Sequence, residues 1–265
     1  MSHPFGIYPQ GTNLDAGDHT VPSATDQTGS TGGDIWRTKR VSIVYPLQSS
    51  TALSGLGEAW GGIGTASAPA LATTTLLSST VRAVYTTAAG ANSQAGLSGT
   101  FGPWLGNAAG LGGFRVEIDF GVVTTQTTMR IAAGIAYNGG AAIALTADPS
   151  AATNAVFMGC DAADTNIQIM HNAGSGTCTK VDLGSSFPKT NDVVYRVVFT
   201  AAANATTIDY EVTRLDSAAS ATGTISTNLP VSTQFMLPVV RFGNGGTASA
   251  AAGAFFRYMC EFVSP

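Results

Sequence analysis

Residues 114–120 read FRVEIDF, and this stretch indicates that the chain folds as β-sheet. Every second residue is apolar and the residues between them are charged, which is the period-two pattern of a half-buried strand. Eight further segments have a similar pattern: TVRAVYT (80–86), RIAAGIAY (130–137), AVFMGC (155–160), NIQIMHN (166–172), VVYRVVFT (193–200), TTIDYEVTRL (206–215), FMLPVVRFG (235–243) and FFRYMCEFV (255–263). No long segment repeats apolar residues at helical spacing, and turn residues separate the strands. The sequence therefore predicts an all-β protein, an antiparallel jelly-roll (concanavalin-like) β-sandwich.

The start of the chain differs in composition from the rest. Residues 1–45 are rich in Pro, Gly, Asp, Ser and Thr, with the aromatic residues Phe5, Tyr8 and Trp36 scattered among them. Such a segment buries too little apolar surface to fold alone, so we expect an extended assembly arm that is ordered by neighbouring subunits. We expect residues 46–75 to form a connector and residues 76–265 to form the sandwich.

Charged residues are scarce. The 265 residues include 12 Lys and Arg and 16 Asp and Glu, or 11% charged residues, with a net charge of −4. No basic cluster can neutralise several phosphates, so we expect no nucleic-acid partner. No apolar run reaches 18 residues and the first ten residues lack a basic, apolar leader, so we expect neither membrane insertion nor secretion.

The three cysteines show no metal-ligand spacing. They are Cys160, Cys178 and Cys260, and an odd number favours buried thiols in a reducing compartment over a disulfide framework. A bridge between Cys160 and Cys178 stays open as the alternative.

One strand carries a pair of acids that suggests glycoside hydrolysis. Glu117 and Asp119 lie on one face of FRVEIDF, close to the E-x-D-x-x-E type of sandwich-fold glucanases. The next position on that face is Gly121, so the expected acid partner is missing. We therefore interpret both acids as solvent-facing strand residues. No G-x-S-x-G elbow with a matching Asp and His occurs either, so we expect no enzyme activity and no catalytic residues.

The most polar segment is residues 159–184. Asp161, Asp164 and Asn166 supply hard oxygens at a spacing that a Ca²⁺ site could use, and the alternative is an Asx-rich turn. His171 alternates with isoleucines and should point inward or pack at a strand end. No histidine cluster is present, and we predict no metal and no cofactor.

Two stretches resemble a C-terminal module of tail-fibre and related virion proteins of tailed bacteriophages. They are WLGNAAGLGGFRVEIDFGV (104–122) and MGCDAADTNIQIMHNAGSGTCTKVDLGSSFP (158–188). The resemblance implies a lectin-like β-sandwich on a homotrimeric fibre that contacts the bacterial surface, in a virion assembled in the host cytoplasm. The chain departs from that pattern because it has no collagen-like or heptad shaft.

A receptor-binding tip would contact cell-surface glycan through its polar loops. Trp104 could stack on a sugar, or it could plug the end of the sandwich. Together with Asn107, Asp164 and Asn166 it forms our expected set of ligand contacts. The arm would bind other virion proteins. The alternative function is a non-catalytic decoration protein (head fibre) of the capsid or tail.

Overall fold

The computed structural model describes residues 39–47, 53–56, 60–99, 113–137, 143–202, 205–232, 234 and 236–263. In these ranges sixteen β-strands form two antiparallel sheets, and helix is confined to two short turns, Leu76–Ser79 and Pro149–Ala151. No helix within the described ranges is long and apolar enough to span a bilayer.

One sheet has nine strands and the other has seven. The nine-stranded sheet runs in the order β14 (Ala219–Ile225), β13 (Ile208–Arg214), β12 (Val194–Ala201), β7 (Gly113–Thr124), β16 (Ala252–Val263), β1 (Lys39–Pro46) and β2 (Leu53–Leu56), and β5 (Ala83–Thr86) pairs with β16 and with β4 (Thr65–Ser67). The seven-stranded sheet runs in the order β11 (Thr179–Asp182), β10 (Gln168–Asn172), β9 (Ala155–Cys160), β8 (Arg130–Tyr137), β15 (Met236–Gly243), β6 (Gln94–Gly99) and β3 (Trp60–Ile63).

The inner faces of the two sheets enclose the main core. The apolar residues of FRVEIDF all point into it and are fully buried, as the alternation predicted. Aromatic side chains fill its width: the ring centroids of Trp60 and Tyr258 are 5.0 Å apart, and those of Phe120 and Tyr195 are 5.6 Å apart. Burying a side chain of this size contributes about 1.5–3 kcal/mol, so the core accounts for much of the stability of the sandwich.

The predicted fold class is confirmed, and each of the nine predicted segments contains a strand. The sandwich nevertheless begins earlier than the expected boundary at residue 76. Strand β1 pairs with β16 from Lys39 to Val44, so its residues belong to the nine-stranded sheet although they fall in the expected arm. Strands β2, β3 and β4 fall in the expected connector. Strand β2 pairs with β1, β4 pairs with β5 and β3 pairs with β6.

A smaller apolar cluster covers the outer face of the seven-stranded sheet. The segment 143–152 folds back onto β8 and β9, and its residues Ile143 and Leu145 belong to one apolar cluster with Phe157. Cys178 belongs to this outer cluster, whereas Cys160 lies in the core between the sheets. The two thiols are therefore on opposite faces of one sheet and do not form the alternative bridge, and all three cysteines are buried.

Candidate functional site

The loop between β9 and β10, residues 161–166, holds the predicted oxygen ligands. Its two carboxylates bind an internal cation, because Lys180 Nζ lies 2.6 Å from Asp161 Oδ2 and 2.8 Å from Asp164 Oδ2. Burial opposes the charged ammonium, but the hydrogen bonds to Asp161 and Asp164 outweigh it and raise the pKa of Lys180. The ammonium group of β11 therefore occupies the position between the two carboxylates.

Backbone amides bind the same carboxylates. Asp161 Oδ1 accepts a hydrogen bond of 3.0 Å from the Ser150 N–H, and Asp164 Oδ2 accepts one of 2.8 Å from the Asp161 N–H. In the described ranges no group of three His, Cys, Asp or Glu side chains could hold a metal ion. Lys180 and backbone amides therefore hold the carboxylates of Asp161 and Asp164 in this loop.

The strands place this loop at one end of the sandwich and the flanks of residues 100–112 at the other. Cys160, just before the loop, pairs with Ile131 near the start of β8. Gly113, just after residues 100–112, starts β7, and its neighbour Phe114 pairs with Ala201 at the finish of β12. The predicted ligand contacts thus belong to segments attached at opposite ends.

Several predicted residues fall outside the described ranges. They are Trp104 and Asn107 of the expected ligand contacts and Phe5, Tyr8 and Trp36 of the expected arm. Of the other two expected contacts, Asp164 is engaged by Lys180 as described. Asn166 is half-buried and its backbone forms a bridge with Pro188, while its side-chain amide makes no hydrogen bond to the described residues.

Glu117 and Asp119 lie on the outer face of β7 but are not exposed to solvent, which corrects our expectation. They are only 5% and 7% exposed. Arg196 on β12 binds Asp119 through two hydrogen bonds of 2.8 and 2.9 Å, and Arg115 lies 2.9 Å from Glu117. Arg257 on β16 contacts both carboxylates. Arg115, Arg196 and Arg257 therefore pair with these two carboxylates and shield them from solvent.

Every described Lys and Arg side chain contacts another part of the protein. The nine side chains are Arg82, Arg115, Arg130, Lys180, Lys189, Arg196, Arg214, Arg241 and Arg257. The described cations therefore already have partners within the protein. Exposed acids that form no ion pair indicate which polar surface remains available to a ligand.

Two such acids, Asp209 and Glu211, lie in a shallow groove on the outer face of the nine-stranded sheet. The groove has a volume of about 360 Å³ and crosses β12, β13 and β14. Neither acid forms an ion pair with a described cation. The polar side chains that line it are Arg115, Thr200, Asp209, Glu211, Thr222 and Thr224.

Strand register explains how these side chains meet. Glu211 pairs with Thr222 on one side and Val198 on the other, and Asp209 pairs with Thr224 and Thr200. Paired residues share a face, and neighbouring strands lie about 4.8 Å apart, so each carboxylate has a threonine hydroxyl beside it. Thr224 Oγ1 donates a hydrogen bond of 2.6 Å to Asp209 Oδ1.

Sequence reasoning did not select this groove. The alternation in TTIDYEVTRL was used to predict a strand, and the same alternation places its acids on the outer face. Of its three threonines, Thr222 and Thr224 come from β14, a strand that was not predicted because ASATGTI lacks large apolar residues.

A second cavity, of about 280 Å³, lies beside the segment that covers the seven-stranded sheet. Alanines form most of its lining, with Tyr137 at one side and Asp148 as its acid. Arg130 Nε binds Asp148 at 2.7 Å, and the Ala162 N–H donates to the same carboxylate oxygen at 3.0 Å. This cavity therefore offers a ligand fewer free polar groups than the groove does.

The architecture is similar to that of solved lectin-like structures. A protein of unknown function from Shewanella oneidensis MR-1 superposes with a TM-score of 0.56 at 10% identity, covering 91% of this chain and 95% of that chain. Arcelin-5, a lectin-like defense protein from Phaseolus vulgaris, gives 0.55 at 9% identity, covering 86% and 100%. Peanut lectin gives 0.52 at 12% identity, covering 85% and 97%.

The fold is lectin-like. At these identities the similarity establishes the fold alone. No protein-family model and no curated protein matches this sequence.

Proposed function

We propose that this chain is a non-catalytic glycan-binding protein of a bacteriophage virion, a tail fibre or fibre tip that contacts the host surface as a homotrimer. The groove across β12, β13 and β14 is the proposed binding site. The observation that carries the proposal is the pair of exposed carboxylates, Asp209 and Glu211, flanked by threonine hydroxyls in an open groove of a lectin-like sandwich.

The chemistry of the groove suits a sugar. Ionised carboxylates accept hydrogen bonds from hydroxyl groups, and threonine hydroxyls both donate and accept. Arg115 uses one nitrogen on Glu117 and has further N–H groups that can donate to ring or glycosidic oxygens. Sugars present hydroxyls at spacings that match such alternating donors and acceptors, with water filling the remaining gaps.

A shallow groove gives weak binding to a single site, and multiple copies overcome this. When several sites are held on one particle, the second contact becomes intramolecular and avidity rises by orders of magnitude. The phage role is supported by the two stretches that resemble virion modules, residues 104–122 and 158–188.

The test is a glycan array of bacterial surface polysaccharides probed with the full chain and with Asp209→Asn and Glu211→Gln. Each variant keeps the size of the side chain and removes the charged acceptor. Hydrogen bonds to charged groups contribute about 1.5–3 kcal/mol, so each variant should weaken binding by about tenfold or more. Asp182→Asn on β11 is the matched control, since Asp182 is an exposed acid on the other sheet.

If the wild type and both groove variants bind glycan equally strongly, the glycan does not bind in the groove. If no glycan binds and antibodies label the whole capsid lattice of virions, the chain is a decoration protein. Labelling confined to the tail, together with competition for host cells by the soluble chain, supports the tail-fibre role.

A further inference from the structure

Arg241 on β15 differs from the other eight described cations, because it contacts neither a carboxylate nor a backbone carbonyl. Its terminal nitrogens reach Gln94 Oε1 and Ser98 Oγ, each at 3.3 Å. Its Nε is buried and has no hydrogen-bond partner. The residue is 9% exposed, and the described side chains that contact its guanidinium group are neutral. Burial lowers the pKa of Arg241, and no charge among the described residues offsets this effect.

A buried charge without a counter-ion is costly. The penalty for removing an ion from water is several kcal/mol, and proteins ordinarily offset it with an opposite charge or with several good hydrogen bonds. Arg241 has two long hydrogen bonds to neutral side chains, so its environment is better suited to a bound anion than to the free guanidinium.

The surroundings leave room for such an anion. Arg241 lies on the outer face of the seven-stranded sheet, where its strand neighbours are Ala132 and Gly96. One strand further along, Gly61 pairs with Ser98 and therefore shares its face. A Cβ added at Gly61 would meet no atom within 4 Å, so the surface beside Ser98 is open.

On its other side the site contacts the segment 143–152. The Leu145 N–H donates a hydrogen bond of 3.0 Å to Gln94 Oε1, which sets the orientation of the Gln94 amide. With that oxygen occupied, Gln94 presents its NH₂ group as a donor. Arg241, Gln94 and Ser98 thus form a set of hydrogen-bond donors beside the small residues Gly96 and Ala132.

We propose that Arg241, Gln94 and Ser98 form a carboxylate-binding site, which takes the acid group of a uronic-type saccharide. A guanidinium donates two parallel N–H bonds to the two oxygens of a carboxylate, and such charge-assisted bonds are the strong ones. That the carboxylate belongs to a saccharide rests on the proposed function, whereas binding of the carboxylate itself rests on Arg241 alone.

The test is calorimetric titration of the full chain with sodium D-glucuronate, sodium acetate and D-glucose, at constant ionic strength set with chloride. Glucuronate and acetate should each bind at one site per chain with a Kd of about the millimolar range, and glucose should not bind there. Arg241→Met removes the charge at similar length and should weaken glucuronate binding by at least about tenfold. Equal binding by wild type and Arg241→Met, or no binding of either carboxylate to wild type, overturns the proposal.

Two further variants keep the test informative. Ser98→Ala removes one donor from a partly exposed position and should weaken glucuronate binding severalfold even if Arg241→Met does not fold. Asp182→Asn, on the edge strand β11 at the far side of the same sheet, should leave glucuronate binding unchanged. Failure of the groove to bind glycans while Arg241-dependent carboxylate binding persists would therefore reject the proposed function and retain this site.

Discussion

His171 Nδ1 lies 3.2 Å from the carbonyl oxygen of Asn228. This contact links the C-terminal end of β10 to the segment between β14 and β15. A carbonyl can only accept, so the proton is on Nδ1. Asn228 returns the contact, because its Nδ2 donates to the His171 carbonyl at 3.2 Å and its Oδ1 accepts from the Ala173 N–H at 3.0 Å. His171 is thus a buried structural histidine at a strand end, as its alternation predicted.

This environment makes stability depend on pH near neutrality. Burial lowers the pKa of His171 below its ordinary value of 6.5, although the carbonyls of Asn228 and Thr227 partly offset the effect. The unfolded chain therefore binds a proton more readily, and stability is full above pH 6.5 and falls as the pH drops below it. Urea unfolding should show a loss of up to about 1.4 kcal/mol per pH unit in this range, absent in His171→Gln. Identical profiles for both proteins would contradict the assignment.

Removal of the internal cation should destabilise the loop 161–166. Lys180→Met leaves Asp161 and Asp164 facing each other without an ammonium group, and we expect a loss of about 1–3 kcal/mol at pH 7. Because the pKa of Lys180 is raised in the folded protein, its contribution is present below pH 10.5 and disappears as the pH rises through the folded value.

The double variant Lys180→Met with Asp164→Asn provides the control. It removes one of the two repelling carboxylates, so its loss of stability should be smaller than the sum of the two single losses. Strict additivity would show that the ion pairs are not coupled.

The side chain of Asp148 should stabilise the segment 143–152 only when the carboxyl group is ionised. Burial raises its pKa, but the hydrogen bond from Ala162 and the contact with Arg130 outweigh burial and lower the pKa below 3.8. The contribution is therefore present above pH 3.8 and is lost as the pH falls through the folded value. Asp148 is partly exposed, so Asp148→Asn should cost about 0.5–1 kcal/mol at pH 7. The difference from wild type should vanish in acid; a constant difference would refute it.

Two adjacent glycines should respond differently to alanine. Gly245 has φ +59°, and an added Cβ would collide with the Thr128 carbonyl. Left-handed backbone costs a non-glycine residue about 1–2 kcal/mol, and with the collision Gly245→Ala should lose more than about 2 kcal/mol in urea unfolding. Gly246 has open space around its Cα, so Gly246→Ala should change stability by less than about 0.5 kcal/mol. Equal losses of unfolding free energy in the two variants would show that Gly245 does not have this left-handed conformation beside Thr128.

The sequence predicted strands wherever large apolar residues alternate with polar ones. It missed β14 and β1 for different physical reasons. Strand β14 is a sheet edge with small side chains, so its pattern is faint. Strand β1 is ordered by pairing with β16 at the other end of the chain, and such non-local pairing has no local signature.

The candidate acids likewise have partners on other strands that the local sequence pattern does not reveal. Alternation correctly placed Glu117 and Asp119 on the outer face of β7, yet it could not show that Arg196 and Arg257 would cover them. Asp161 and Asp164 were correctly grouped in one loop, but Lys180, which binds both, is on a strand that was not predicted.

By itself, the sequence determined the fold class and the face on which each alternating residue lies, because side-chain direction in a strand follows the local period of two. The tertiary structure decided which faces adjoin. Arg115 reaches the groove because β7 pairs with β12 and places it opposite Thr200. Arg241 has the small neighbours Ala132 and Gly96 because β15 lies between β8 and β6, and no described acid pairs with it. Both sites depend on strand order, which is set by the packing of the whole core and not by any single segment.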